Sequence, residues 1–211
     1  PHKVSVQQLA DRVSGVGTYM HVGDSEDRIW TGFPLRTHRR CDDPMFSIAN
    51  EIAYSNQMVN AVPENSTTEF IGQSKWFHVE CLSTPYKKHV IPEEVDLLKN
   101  KIKELLQTGY TDKIYIISPF KSVADFCSNE FRSQKNISCG TIHKFQGKEA
   151  DVVFLVLGSN PNSPGARSWA SQKPNMLNVA LTRAKKRFYV IGNKKLWVPC
   201  QYFNTMSYVL D

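Results

Sequence analysis

The chain has 211 residues, of which 41% are hydrophobic, 22% are charged and 11% are aromatic. This composition is ordinary for a globular α/β protein with one substantial core. No apolar run approaches the roughly 20 residues that a membrane-spanning helix needs, and the N-terminal residues carry no signal-peptide pattern. We therefore expect a cytoplasmic protein that does not interact with a membrane.

Charge and cysteine content narrow the class further. The net charge is +6 and the isoelectric point is near 9.0, which suits a polyanionic partner but is also found on many ordinary surfaces. No Cys-x-x-Cys pair occurs, so we expect reduced thiols rather than a disulfide framework or a zinc site. The five cysteines are Cys41, Cys81, Cys127, Cys139 and Cys200.

The first third of the chain predicts few regular elements. It starts with Pro rather than Met and runs directly into a helical pattern, so we expect a piece of a longer protein. Apolar spacing predicts helices over 4–13 and from Asp43-Pro44 to residue 59. The remaining stretches predict a glycine-rich apolar patch over 15–23, a polar loop over 24–27 and a second loop over 63–73.

From residue 76 onward, short apolar runs alternate with amphipathic stretches. The pattern predicts strands over 76–79, 113–118, 137–142, 150–158 and 187–192. It also predicts helices over 92–107, 122–132 and 175–186, with a surface loop over 160–174. Such alternation predicts an α/β fold with a mostly parallel sheet covered on both faces. Ligands of these sheets bind beyond the carboxyl ends of the strands, here near 118–120, 158–160 and 192–193.

Three segments carry the chemical signal: Leu-Arg-Thr-His-Arg-Arg-Cys-Asp-Asp-Pro-Met-Phe at 35–46, Thr-Ile-His-Lys-Phe-Gln-Gly-Lys-Glu-Ala-Asp at 141–151, and Asn-Val-Ala-Leu-Thr-Arg-Ala-Lys-Lys at 178–186. Gly147 lets the backbone approach an anion, with Lys148 and Glu149 beside it. Arg183, on the predicted helix over 175–186, and the Arg39-Arg40 pair add planar cations that suit phosphate. Together they resemble the requirements of a triphosphate pocket shared between two domains.

Each of these features also has a purely structural explanation. Gly147 is an ordinary turn residue, and Arg39-Arg40 is an ordinary solvated pair. The basic run 185–187 can stabilise a helix C-terminus through the helix dipole. His38 and His143 are more often hydrogen-bonded structural residues than catalysts. The acidic pairs Asp42-Asp43 and Glu93-Glu94 each precede a helix, so we expect capping there rather than a metal site.

The second and third segments resemble motifs V and VI of superfamily 1 helicases. Phe-Gln-Gly-Lys-Glu at 145–149 and Asn-Val-Ala-Leu-Thr-Arg-Ala at 178–184 are most similar to the superfamily 1B helicases of the nonsense-mediated-decay and DNA-end-processing type. Ser-Pro-Phe at 118–120 resembles a strand-end motif of the same domain. The resemblance spans 35–193. It implies a second RecA-like helicase domain over 35–211, a P-loop NTPase-like three-layer sandwich, with 1–34 leading in from the preceding helicase half.

The resemblance implies a role for each matching residue. Arg183 matches the motif VI arginine that reaches the γ-phosphate across the interdomain cleft as an arginine finger. Arg40 resembles a second such arginine, from a motif usually written Gln-Tyr-Arg-Met-His-Pro. The implied ATP-binding residues are Gln146, Gly147, Lys148 and Glu149, and the implied nucleic-acid-binding residues are Pro119, Phe120, Thr141 and His143.

One departure from the family pattern concerns the second arginine. The spacing before Pro44 is one residue longer than in the family, so alignment on that proline places Cys41 at the arginine position. We prefer Arg40, because a cysteine cannot serve there and a one-residue loop insertion costs little. Arg39 stays open as the alternative.

The sequence also lacks two expected features. It contains no Gly-x-x-x-x-Gly-Lys-Ser/Thr loop and no strand that ends in an Asp-Glu pair. The resemblance therefore implies that ATP and Mg²⁺ bind only in the full-length protein, together with the N-terminal RecA-like domain of the same polypeptide. We expect this part alone to be inactive and to contact single-stranded DNA or RNA. The alternatives are a helicase-derived module that only binds nucleic acid and an unrelated small kinase, which should carry the missing loop.

Overall fold

The computed structural model describes residues 4, 6–21, 27–32, 36–63, 70–85 and 87–211. Within them the strands are β1 Gly17–His21, β2 Arg28–Gly32, β3 Thr37–His38, β4 Val59–Asn60, β5 Lys75–His78, β6 Ile114–Ser118, β7 Ile137–Thr141, β8 Ala150–Val156 and β9 Ala184–Gly192. The helices are α1 Val6–Val13, α2 Met45–Tyr54, α3 Pro92–Gln107, α4 Lys121–Glu130, α5 Pro164–Ser171, α6 Asn175–Leu181, α7 Lys194–Trp197 and α8 Phe203–Leu210, with a short 3₁₀ helix over Ile142–Phe145. None of these described helices has the length and apolar character that a membrane crossing requires.

A five-stranded sheet organises the core. Its strands run parallel in the order β5-β9-β8-β6-β7. All five residues of β6 are buried, as are six of the seven residues of β8. Strands covered on both faces are apolar throughout because neither face meets water. Helices α3 and α4 pack against the sheet, as do α2 and α6. The predicted α/β fold with a mostly parallel, helix-covered sheet is confirmed and agrees with a RecA-like domain.

The third sequence segment differs from its prediction. The expected helix over 175–186 ends at Leu181, Arg183 lies in a turn, and β9 already begins at Ala184. Pairing with β8 determines this boundary, since Ala184 lies opposite Ala150 and the Nζ of Lys185 lies 2.9 Å from a carboxylate oxygen of Asp151. The basic run 185–187 is therefore part of a strand, and its predicted role at a helix C-terminus is wrong.

The predicted surface loop over 160–174 contains helix α5, so that prediction is also wrong. Pro164 occupies the first turn, where a missing backbone N–H costs nothing. The helix buries Arg167, Ala170 and Ser171, and the Nη1 of Arg167 donates to the carbonyl oxygen of Asn160 at 2.6 Å. The proline and glycine that suggest a loop lie at the helix start, where both are tolerated.

The first third of the chain is more regular than expected. Helix α1 confirms the first predicted helix, but β1 and β2 pair as an antiparallel hairpin where only an apolar patch was predicted. Helix α2 stops at Tyr54, short of residue 59, because Ser55 and Asn56 adopt positive φ angles of 50° and 58°. Residues 22–26, 35 and 64–69, which belong to the predicted patch, both loops and the first segment, lie outside the described residues.

The two acidic pairs have different roles. Asp43 accepts hydrogen bonds from the backbone N–H and the hydroxyl of Ser47 in the first turn of α2, so its predicted capping role is confirmed. Glu94, by contrast, is 1% exposed and accepts from the N–H groups of Gly158 at 2.8 Å and Ser159 at 2.9 Å. Its capping role is wrong. The carboxylate joins the start of α3 to the chain that leaves β8.

Replacing Glu94 tests the importance of this buried contact. Glu94→Ala leaves two buried N–H groups without their acceptor, and we expect it to lower the free energy of unfolding by about 3–5 kcal/mol. Glu94→Gln keeps one acceptor oxygen and should cost distinctly less. Urea unfolding at pH 7 measures both values. Equal losses for the two variants would contradict the proposed bonding.

The same carboxylate should make stability depend on pH. Burial raises the pKa of Glu94 from its ordinary value of 4.5 to about 7. The unfolded chain therefore releases this proton at lower pH than the folded chain, so the stability that Glu94 contributes falls as pH rises from about 4.5 to about 7. We expect the difference in unfolding free energy between the wild type and Glu94→Gln to fall across this window and then level off. A difference that rises with pH would contradict the raised pKa.

Candidate functional site

The predicted site residues lie at two opposite edges of the sheet. Pro119 and Phe120 follow β6 and Thr141 ends β7, all at the carboxyl edge. Residues 147–149 directly precede β8 and Arg183 directly precedes β9, both at the amino edge. A connection between parallel strands must return to the edge where the next strand begins. The carboxyl-edge expectation therefore accounts for the first group of residues and not for the second.

The amino-edge cleft brings all three sequence segments together. It has a volume of about 660 Å³ and is lined by residues of each segment. Packing of α2 against α6 and pairing of β8 with β9 bring these distant segments into contact. Of the predicted site residues, the cleft contains Arg40, Gln146, Gly147, Glu149 and Arg183, together with the alternative Arg39.

Arg183 is 5% exposed, and its guanidinium is hydrogen-bonded within the protein. Its Nε donates to the carbonyl oxygen of Val179 at 3.1 Å, and its Nη1 donates to those of Lys148 at 2.9 Å and Phe145 at 3.4 Å. Its Nη2 donates to the hydroxyl of Thr182 at 3.1 Å. A guanidinium has five N–H groups. Among the described residues, these bonds leave one N–H of Nη2 available to a further acceptor.

Two cations lie close together in this cleft. Burial, and then the charge of Arg40, lower the pKa of Arg183. The Nε of Arg40 lies 3.6 Å from Oε2 of Glu149, and both side chains are nearly half exposed. The positive charges of Arg40 and Arg183 disfavour each other, and a bound anion would offset that repulsion. The electrostatics of the cleft therefore favour a ligand with negative charge.

Cys41, which alignment on Pro44 places at the arginine position, is a core residue. It is fully buried, and its N–H donates to Nε2 of His38 at 3.0 Å. Burial raises the pKa of its thiol to about 12. A buried neutral thiol cannot contact phosphate as an arginine does, whereas Arg39 and Arg40 both line the cleft. The geometry thus favours an arginine over Cys41, while the choice of Arg40 over Arg39 stays a prediction.

The turn before β8 separates the predicted nucleotide-binding residues. Gly147 adopts φ +82°, a conformation that favours glycine, and lines the cleft. Lys148 instead lines a neighbouring cavity with Lys113 and Lys144, and Gly147 and Glu149 line that cavity as well. Only the carbonyl oxygen of Lys148 takes part in the cleft's framework, as an acceptor for Arg183. Lys148 is therefore absent from the lining of the cleft, although it shares the neighbouring cavity with Gly147 and Glu149.

The carboxyl-edge groove brings together the other predicted set. Pro119, Phe120, Thr141 and His143 line a groove of about 850 Å³. Phe120 is only 6% exposed, because its ring stacks on His89 with the centroids 4.1 Å apart. Three lysines and one carboxylate also line the groove: Lys87, Lys88, Lys121 and Asp125. The groove is thus basic and partly aromatic.

Several lining residues gave no useful signal in the sequence. Tyr54 ends α2 and its hydroxyl accepts a hydrogen bond from Nδ2 of Asn178 at 3.1 Å. The Oδ1 of Asn178 is buried without a hydrogen-bond partner among the described residues, as expected where a polar ligand binds. Trp169 lines the groove from α5, a helix that the sequence did not predict. No group of three His, Cys, Asp or Glu side chains suited to a metal ion occurs in the described part of the chain.

Comparison with known proteins gives the family. A family profile described as an AAA domain matches residues 31–195. A DNA replication ATP-dependent helicase/nuclease of Arabidopsis thaliana is 31% identical over 108 residues, or 49% of this chain and 8% of that protein. Helicase sen1 of Schizosaccharomyces pombe is 31% identical over 111 residues, or 48% of this chain and 6% of that protein.

A regulator of nonsense transcripts 1 homolog of Drosophila melanogaster is 26% identical over 141 residues, or 66% of this chain and 11% of that protein. The chain belongs to the AAA-domain family of superfamily 1 helicases. This membership confirms the predicted resemblance to superfamily 1 helicases. The chain spans only 6–11% of the length of these relatives of the helicase family.

Two glycines with positive φ offer a matched test of the turn before β8. A Cβ at Gly147 would meet nothing within 4 Å, whereas one at Gly158 (φ +66°) would lie 2.7 Å from the carbonyl oxygen of His89. We expect Gly147→Ala to cost about 1 kcal/mol from backbone strain alone, and Gly158→Ala at least about 3 kcal/mol because a clash is added. Urea unfolding measures both. Similar losses would contradict the open geometry at Gly147.

Proposed function

We propose that this chain is the second motor domain of an ATP-dependent superfamily 1 helicase. Arg183 and Arg40 would contact the phosphates of ATP held by the N-terminal RecA-like domain of the same polypeptide. The observation that carries the proposal is the meeting of Arg40, Glu149 and Arg183 in one cleft at the amino edge. Three distant segments that resemble helicase motifs converge there, and family membership supports the same role.

The groups in the cleft suit the phosphate end of a nucleotide. The guanidinium groups of Arg40 and Arg183, with one N–H left on Arg183, provide positive charge and hydrogen-bond donors for phosphate oxygens. The residues do not suit Mg²⁺, because Glu149 is the one carboxylate among those that line the cleft and it already pairs with Arg40. In this proposal the other RecA-like domain supplies the phosphate loop and the metal-binding acids.

The arginines would act by stabilising charge. Bound ATP supplies a γ-phosphoryl group on which negative charge develops during hydrolysis. Arg40 can exchange its partner for a phosphate oxygen at small cost, because an exposed ion pair contributes only about 0–1 kcal/mol. Arg183 stays fixed by Val179, Phe145 and Lys148, and its remaining N–H would be the group that contacts a phosphate oxygen. Arginines in this role typically raise turnover about 10³–10⁵-fold.

The carboxyl-edge groove would hold the track. Lys87, Lys88 and Lys121 offer positive charge to a phosphate backbone, and Thr141 and His143 lie at the start of the motif V segment. Backbone contacts of this kind serve single-stranded DNA and RNA alike. The proposed activity is therefore ATP-driven movement along a single strand, with the nucleotide and the strand at opposite edges of one sheet.

Arginine replacement in the longer protein that contains both RecA-like domains tests the proposal. We expect Arg40→Ala and Arg183→Ala each to lower strand-stimulated ATP turnover about 10³-fold or more, while the affinity for single-stranded nucleic acid stays within a few-fold. Arg132→Ala is the matched control, because Arg132 is exposed and does not line the cleft. A phosphate-release assay and strand-binding anisotropy provide the two measurements.

Stability must be measured alongside turnover, because Arg183 also has a structural role. Arg40→Ala removes an exposed ion pair, so its unfolding free energy should change by less than about 1 kcal/mol. Loss of turnover in this stable variant supports a contact with phosphate. Unchanged turnover in Arg40→Ala and in a folded Arg183 variant would overturn the proposal and favour a domain that only binds nucleic acid.

A further inference from the structure

Trp169 is largely exposed, although tryptophan side chains are mostly buried in folded proteins. Its relative exposure is 54%, whereas Trp76 and Trp197 are 1% and 0% exposed. It lies on α5 and lines the carboxyl-edge groove. A large apolar ring left in contact with water at a concave basic surface points to a ligand that covers it.

Neighbouring rings support Trp169 from beneath. Its ring centroid lies 6.4 Å from that of Phe120, with an interplanar angle of 32°. Phe120 in turn stacks on His89, with centroids 4.1 Å apart and planes 19° apart, and lies 6.3 Å from Trp197. Because these contacts cover Phe120, it acts as a support for the groove wall. Trp169, at 54% exposure, still offers a large ring surface to a ligand.

The charges of the groove identify the class of ligand. Lys87, Lys88 and Lys121 line it together with a single carboxylate, Asp125. Burial, and then the charge of Lys88, lower the pKa of His89, so that imidazole is neutral near pH 7. Three ammonium groups beside an exposed indole match a chain of phosphates that carries flat bases.

Two hydrogen bonds join the backbone at Lys88 to helix α5, which carries Trp169. The Nδ2 of Asn160 donates to the carbonyl oxygen of Lys88, and Nη1 of Arg167 donates to the carbonyl oxygen of Asn160. Lys87 and Lys88 have positive φ angles of 47° and 64°, so the backbone turns sharply at this point. Arg167 lies two residues before Trp169 on α5. These bonds therefore hold the backbone of the lysine turn close to α5.

We propose that Trp169 is a base-stacking platform for a single strand, with Lys87, Lys88 and Lys121 holding the phosphates on either side. This inference rests on the proposed function in one respect, the presence of a strand in the groove. Stacking on a π-face suits any base, so the contact does not select a sequence. It adds affinity that depends on the bases rather than on the backbone.

Strands with and without bases separate stacking from charge. Fluorescence anisotropy would compare the full-length protein on an oligothymidylate, on an abasic deoxyribose strand of equal length, and on an oligouridylate. We expect Trp169→Ala to weaken binding to both base-bearing strands about 10-fold and to leave the abasic strand within 2-fold. Trp169→Phe should recover most of the affinity. Tyr208→Ala is the control, since Tyr208 is 89% exposed and lies on α8, away from the groove.

The lysines should show a different pattern. We expect Lys87→Ala and Lys88→Ala to weaken binding to all three strands by similar factors, and more strongly at low salt. Tryptophan fluorescence should be quenched by oligothymidylate in the wild type, and Trp169→Phe should lose most of that quenching. Circular dichroism confirms that each variant is folded.

The outcomes distinguish this inference from the proposed function. If the wild type binds strands but Trp169→Ala has no effect, or weakens all three strands equally, stacking is wrong while the proposed function stands. A loss confined to one type of sugar also contradicts a platform that recognises bases alone. If the wild type binds none of the strands, the proposed track fails and this inference fails with it.

Discussion

Strand β8 pairs in parallel with β6 on one side and β9 on the other. The positions of the amino-edge cleft and the carboxyl-edge groove both depend on this arrangement. A parallel strand forces the preceding chain to cross from the carboxyl edge of the sheet to its amino edge. The segment 141–151 makes that crossing between β7 and β8. Its first residues therefore lie in the basic groove, and its last residues lie in the cleft with the arginines.

The crossing is short, which brings two chemically different surfaces close along the chain. His143 lines the carboxyl-edge groove and Gln146 lines the amino-edge cleft, with the 3₁₀ helix over Ile142–Phe145 between the surfaces. Its buried residues Ile142 and Phe145 fix the segment to the core. A short segment whose middle is packed in the core thus joins the two surfaces.

Arg183 combines a structural and a proposed chemical role. Its guanidinium donates to the carbonyl oxygens of Phe145 and Lys148. Phe145 lies two residues before Gly147, and Lys148 directly follows it. The conformation of the turn before β8 thus depends on the same group that we propose contacts phosphate. At the other edge Glu94 has a comparable structural task, since it binds the N–H groups of Gly158 and Ser159. Buried ionisable side chains therefore hold the chain at both edges of the sheet.

The sequence by itself determined the alternation of strands and helices, the mostly parallel sheet and the family. A strand that is buried on both faces has a continuous apolar run, as in β6 and β8, and such a run can be recognised from the local sequence. Tertiary structure decided the rest. The local sequence of the basic run 185–187 suggests a helix end, but pairing with β8 makes it part of a strand. Glu94 likewise suggests a helix cap, but its carboxylate accepts hydrogen bonds from the chain that follows β8. The separation of the predicted residues between two edges, and the exposure of Trp169, follow from contacts between distant segments, which no local pattern encodes.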